Sequence, residues 1–410
     1  MKEKNLVTSR TKWFREARFG MFIHWGIYSI PARGEWVMNV EQIPAGEYAL
    51  FSDEFNPDKF NADEWVSIAK EVGMKYIVLT TRHHDGYSLF NSKVSDFTSV
   101  KRKAEHDFVA EYVKACRRAG MKIGFYYSLL DWRWPAYFNG PSKDPEGWAK
   151  LVEYIYNQVK ELCTQYGKID ILWYDGEWIP EIKHNRTLTK QEKSLEIARY
   201  WHSKELNAMV RELQPHIIIN NRSGLPEDFD TPEQHIVPSE PGHLWESCMT
   251  MNDNWGYSAG DHNWKTTRQL IHNLVRCTSG GGNFLLNVGP KSNGTIPEAS
   301  VKRLNKIGEW MKLNGESIYG TGRAPFGGGT VGLTTAKNNI VYLHVLRWPG
   351  EEICIAGVKD RISEAHILKT GEKVEVTQKG ERLFLRGLPK KAADEYDSVI
   401  VLKLEEGKKI

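Results

Sequence analysis

No two cysteines in this 410-residue chain are spaced as CxxC, and the five present (Cys116, Cys163, Cys248, Cys277 and Cys354) are scattered and odd in number. That pattern argues against a disulfide framework or a thiolate zinc site, and leaves the expectation of reduced, buried thiols in a cytoplasmic chain. Net charge is scarce too: 55 basic side chains face 52 acidic ones, a balance of +3. Nothing in it would draw a nucleic acid or an anionic membrane. No apolar run approaches the roughly 20 residues of a membrane-spanning helix. The opening MKEKNLVTSRTKWF lacks the apolar stretch of a secretory leader. Gly327, Gly329 and Gly332 spell GxGxxG, but no helical pattern follows, so a linker or hairpin turn is expected there rather than a dinucleotide site.

What is present points to a packed globular protein, with 40% apolar and 26% charged residues. The length exceeds one ordinary core, so a large domain with a small companion is expected. Tryptophan is plentiful, at 15 residues. Many indoles will be core, yet their flat faces also suit the apolar faces of sugar rings.

Continuous apolar runs at 19–26, 76–84, 122–128, 169–176, 216–222 and 283–290 read as strands covered on both faces. Helical patterns lie between them, at about 63–73, 146–166, 194–214, 266–278 and 300–314. The clearest is DFVAEYVKACRRAG, with one apolar stripe, Asp107 to cap it and Gly120 to stop it. Strand alternating with helix implies a parallel sheet. The strands end in His24, His83 and His84, Tyr127, Asp175 and Arg222. Ligand groups gathered from many strand ends are the mark of a (β/α)8 barrel rather than an open doubly wound sheet. Two strands remain to be found, and HIVP and LWESCM within 233–250 are the weak candidates. After about 320 the texture becomes glycine-rich and then a series of short strands without helices. The expected division is therefore a barrel over 1–322 and a small antiparallel β-sandwich over 323–410.

Three readings compete for the histidines. They could ligate a metal, although adjacent His83 and His84 point to opposite sides of a strand and no HxH occurs. One could simply be a satisfied core residue. A cluster of neutral donors and acceptors for hydroxyl groups is the favoured reading. Asp175, closing ILWYDGEW, either caps the following turn or acts as a catalytic acid at a barrel mouth. Glu177, Glu227, Asp228, Glu233 and Glu246 could each supply a second carboxyl, and spacing does not choose among them.

An ordered set of segments makes the choice sharper: WFREARFGMFIHWGIYSIPARGEWV, TTRHHDGYSLFNS, IGFYYSLLDW, ILWYDGEW, NNRSG, WESCMTMNDNWGYS and GGGNFLLNVGPKSNGTIP. Together they resemble the α-L-fucosidases of glycoside hydrolase family 29, over roughly residues 10 to 325. The resemblance implies exo-hydrolysis of terminal α-L-fucose from oligosaccharides or glycoconjugates, with retention and without metal or other cofactor. It implies Asp175 as nucleophile and contacts to fucose from His24, Glu35, Trp36, His83, His84, Tyr127, Trp173, Arg222 and Trp255. The family varies at the acid/base; Glu233 in DTPEQ is preferred over Glu246 in LWES, which reads as a structural contact. The expected reaction is double displacement, with Glu233 protonated in the first step and a base in the second. A metal-dependent barrel hydrolase and a non-catalytic fucose-binding protein are the alternatives.

Overall fold

The computed structural model describes residues 2–405; Met1, the side chains of residues 2–8, and residues 406–410 lie outside the described residues, so the expectation of no leader goes untested there. Among the described residues, eight parallel strands form one sheet in the order β5-β4-β3-β2-β1-β8-β7-β6. They are β1 (Phe19–Ile23), β2 (Tyr76–Arg82), β3 (Lys122–Ser128), β4 (Ile171–Asp175), β5 (Ile218–Ile219), β6 (Phe229–Asp230), β7 (Leu244–Met249) and β8 (Asn283–Val288). A bridge between Asn220 and Phe229 brings the two ends of the sheet together, closing the barrel. LWESCM is indeed a strand, whereas HIVP is not; the missing strand is the two-residue β6, too short to leave a hydropathy signal. No helix intervenes between β5 and β6.

The crossover helices are α2 (Ala62–Val72), α3 (Phe108–Ala119), α4 (Pro145–Gln165), α5 (Lys190–Tyr200), α6 (Ser203–Leu213), α7 (Thr267–Ser279) and α8 (Glu298–Asn314), preceded by α1 (Lys2–Ala17). Asp107 caps α3 by accepting from the Ala110 N–H at 2.8 Å, and Gly120 ends it at a left-handed φ of 70°. The pattern read as one helix over 194–214 is two, broken where His202 adopts φ 50°.

Strand parity sorts the side chains into two layers. Phe22, Tyr76, Val78, Tyr126, Ile171, Trp173, Cys248 and Leu285 fill the barrel interior, with Phe14 of α1 packed beneath them. The alternate residues face the helices in a much larger apolar layer. Gly20 is required by this packing, because a β-carbon there would sit 2.4 Å from the Tyr76 ring.

Beyond the barrel, β9 (Gly322–Arg323), β10 (Gly332–Lys337), β11 (Ile340–Val345), β13 (Ile362–Ile367) and β16 (Ser398–Leu404) form a five-stranded antiparallel sheet. β12 (Glu352–Ile355), β14 (Glu375–Lys379) and β15 (Arg382–Arg386) form a three-stranded one, with an apolar core shared between the two sheets. Gly332 opens β10, where a β-carbon would meet the His344 carbonyl oxygen at 1.7 Å. Of the other two glycines in that spacing, Gly329 sits in a turn at φ 62° and Gly327 has open space around it, so the close approach belongs to Gly332 alone. All five cysteines are free, and four are buried; Cys354 departs from expectation, because the alternation of β12 turns it outward.

The sandwich is fastened to the barrel through Asp397. Its backbone carbonyl accepts from Trp310 Nε1 of α8 at 3.1 Å, and its carboxylate lies 2.6 Å from His344 Nδ1, both side chains being fully buried. Removing one partner strands the other in a dry interior. Asp397→Ala should therefore destabilise the protein by about 1–3 kcal/mol, read as a lower midpoint in chemical denaturation; an unchanged midpoint would show that the pair is dispensable.

Candidate active site

At the C-terminal ends of the barrel strands lies a small cavity, open to solvent at its mouth. His24, His83, His84, Trp173, Asp175 and Arg222 form its inner part, and Trp36, Glu233 and Trp255 also line it. Parity explains the selection. Trp173 and Asp175 alternate on the inward face of β4, and His24 extends the inward face of β1 just past its end.

Arg222 is the hub. Its Nη1 donates to Asp175 Oδ1 at 2.8 Å and its Nη2 to Glu233 Oε2 at 2.8 Å. Nε donates to Thr231 Oγ1 at 2.9 Å, and the guanidinium stacks 4.7 Å from the Trp173 ring centre. The other oxygen of Asp175 accepts from the Tyr126 hydroxyl at 2.9 Å. Burial alone would raise the Asp175 carboxyl, but the Arg222 charge, with His84 and the hydrogen bonds, holds it below its usual range. It is an ionised carboxylate in a mostly desolvated cavity.

The histidines are neutral for the opposite reason. Burial lowers His24 to about 3 and His84 to about 4, and pushes His83 well below the usual imidazole value. Their tautomers follow from their partners. Ser128 gives its hydroxyl proton to the Leu130 carbonyl (2.9 Å), so it accepts from His84 Nδ1–H at 2.7 Å. Asn287 donates its amide to the Trp255 carbonyl (2.7 Å), which turns its oxygen toward His24 Nδ1–H, also at 2.7 Å. Both rings therefore keep a bare Nε2 as an acceptor, suited to a hydroxyl group. Nδ1 of His83 is buried without a partner. Among the described residues, no group of three or more His, Cys, Asp or Glu side chains is arranged to hold a metal ion.

Two residues expected in the site are not brought to the cavity. Tyr127 lies on the outward face of β3, where its hydroxyl donates to Gln158 Oε1 at 2.9 Å and Arg82 stacks on its ring. Its neighbour Tyr126 takes the inward place. Glu35 stands behind the wall, accepting from the Gly256 N–H at 2.8 Å, beside Trp255. Of the rival carboxyls, Glu227 and Asp228 are tied to Arg211 at the β5–β6 corner. Glu177 does not line the cavity; burial raises it to about 7. Glu246 lies inside the barrel, accepting from the Tyr76 hydroxyl and from Trp173 Nε1 at 3.2 Å. Phe22, Tyr126, Trp178 and Cys248 line the cavity without having been singled out. Counting back two residues from His24 finds Phe22, and counting on two from Glu246 finds Cys248; the loop residue Trp178 carries no periodic signal.

Comparison with known proteins places the chain in a family. Residues 2–316 match the family described as α-L-fucosidase. The chain is 32% identical to an α-L-fucosidase of Dictyostelium discoideum, over 89% of this chain and 85% of the relative. It superimposes on the structure of α-L-fucosidase isoenzyme 1 from Paenibacillus thiaminolyticus with a TM-score of 0.87 and 38% identity, covering 98% of this chain and all of that one. A Bacteroides thetaiotaomicron α-L-fucosidase of family GH29 is similar at 29% identity and TM-score 0.86, over 97% of this chain and 96% of that one. That structure is a trapped covalent intermediate with 2-fluoro-fucosyl fluoride, obtained with a glutamate-to-glutamine mutant.

Burial raises the Glu246 carboxyl to about 7. Folding therefore takes up a proton between the ordinary glutamate range and that value, and stability from this group falls as pH rises through the window. Glu246→Gln keeps an oxygen for the Trp173 indole and removes the titration. Relative to the parent, the variant should gain thermal stability from about pH 5 to pH 8 while keeping most of its turnover. Complete loss of turnover would return Glu246 to the list of catalytic acids.

Proposed function

The chain belongs to the α-L-fucosidase family of glycoside hydrolases, and from that premise we propose that it removes terminal α-L-fucosyl groups from oligosaccharides or glycoconjugates with retention at the anomeric carbon. The observation that carries the proposal is the pair of carboxylates joined through Arg222, one mostly buried and one open to solvent. Asp175 has 12% of its side chain exposed and Glu233 has 40%. One guanidinium bound to both, at 2.8 Å to each, holds them at the same place in the cavity, where a retaining glycosidase needs its two carboxyls.

In the first step an Asp175 oxygen bonds to the anomeric carbon, the glycosidic C–O bond breaks, and the departing oxygen takes the proton of Glu233. In the second, Glu233 accepts a proton from water as the water oxygen attacks, and the ester to Asp175 is released. Exposure lets Glu233 exchange protons with solvent between turnovers. The dry setting of Asp175 strengthens its attraction to the positive charge that develops at the anomeric carbon. Nε2 of His24 and of His84 accept sugar hydroxyls, and Trp255 and Phe22 give an apolar surface suited to a methyl group. The covalent intermediate of the Bacteroides relative supports the two-step reading.

Asp175→Asn should lower kcat on an aryl α-L-fucoside by on the order of 10³-fold or more, with an unchanged circular dichroism spectrum. A variant that kept a sizeable share of turnover would remove Asp175 as nucleophile. For Glu233→Ala the two steps separate. An aryl leaving group hardly needs protonation, so the second step should slow and azide should restore turnover, giving α-fucosyl azide because it displaces Asp175 from the opposite face of the β-linked intermediate. Absence of rescue, or a β-configured azide, would exclude Glu233 as the acid/base in this mechanism.

A further inference from the structure

The cavity has a gradient of exposure that the two catalytic carboxyls follow. Its floor is dry: His24, His83, His84 and Trp173 are each at most 4% exposed. Its mouth is not, and what stands there is aromatic. Trp36 is 36% exposed, and the half-buried Trp178 lies 6.0 Å from it between ring centres. Trp132 supports Trp36 from behind at 5.1 Å, and the neutral His84 ring packs against Trp178 at 5.6 Å. Lys183, on the one-turn helix Pro180–Lys183, places its ammonium 5.5 Å from the Trp178 ring centre and helps to fix the indole.

Glu233 is the exposed member of the carboxyl pair. Its proton goes to the glycosidic oxygen, so the bond that breaks lies at the level of the mouth, and the leaving group lies outside it. On the proposed function, two indoles therefore border the space that the leaving group occupies. Exposed indole has a hydrophobic cost in the empty enzyme, which a ring laid against it would relieve. An anionic group would gain nothing from such a surface, and the ammonium of Lys183 already stands at the Trp178 ring.

We infer that Trp178, with Trp36 beside it, is the platform for the leaving group, and that its ligand is an uncharged pyranose stacked through its C–H face. Trp178 is then a specificity-determining residue: it holds the second sugar while the histidines and Asp175 hold the first. The inference rests on the fucosidase reading, and the experiment separates the two.

α-L-Fucosyl fluoride has a leaving group with no ring, whereas a fucosyl disaccharide carries a full pyranose. Trp178→Ala and Trp178→Phe would be compared with the parent enzyme on both substrates. Trp178→Ala should lose kcat/KM on the disaccharide about tenfold more than on the fluoride, and Trp178→Phe, which keeps a flat ring, should recover much of that difference. Equal losses on both substrates would mean that Trp178 only supports His84, and would overturn the platform. So would an undiminished disaccharide rate in Trp178→Ala. If Trp178→Ala does not fold, Trp178→Leu, which keeps apolar bulk without a flat ring, decides: a disaccharide-to-fluoride ratio lowered about tenfold supports the platform, and a ratio like the parent's overturns it. A parent enzyme inactive on fucosyl fluoride would sink the function itself, and the platform with it.

Discussion

The Arg222 guanidinium is the interaction on which the site depends. It lies almost buried in the turn three residues beyond the two-residue strand β5, with each of its nitrogens engaged and an indole face beneath it. A cation so far from water is sustained only by the carboxylates it holds, and they are kept in place by it. The surrounding structure reads as support for that cluster. Thr231 fixes the fork, Trp173 supports its plane, and Glu246, deeper in the barrel, orients Trp173 through its indole nitrogen. A carboxyl that looked like a catalytic rival thus lies two contacts behind the arginine.

Geometry of this kind follows from how a strand distributes its side chains. Tyr126 and Tyr127 are adjacent and chemically identical, yet one hydrogen-bonds Asp175 and the other is sealed against Gln158 on the helix side. The same alternation sends His24 and Phe22 inward together. The barrel and the chemistry therefore share a single constraint, since a one-residue slip in register would exchange the lining of the cavity for its packing.

Much of this could be read in the sequence. Six strands, the long crossover helices, the capped α3 and the change of texture near 320 were all visible, because long continuous apolar runs and helical stripes persist whatever packs on them. The exceptions have physical causes. Strand β6 is held by pairing and by the Asp228 and Arg211 contacts rather than by apolar length, so hydropathy passes over it. His202 breaks a helix through a left-handed backbone that its residue type does not announce. Position at a strand end drew attention to Tyr127, where parity selects its neighbour. Glu35 was named for a direct role and lies behind the wall. Cys354 sits on the outer face of a small sheet whose alternation is clear only once its partner strand is known.

Barrel closure also bears on how the chain acquires its shape during synthesis. The strand pairing of longest range in the wall joins β1 to β8, where His24 meets Asn287, partners 263 positions apart. Until the later strand leaves the ribosome, one hydrogen-bonding edge of β1 has no native partner, and parallel pairing of this range is slow to form. The nascent chain therefore passes through a long interval with an open apolar edge, the circumstance in which partly made proteins associate with one another.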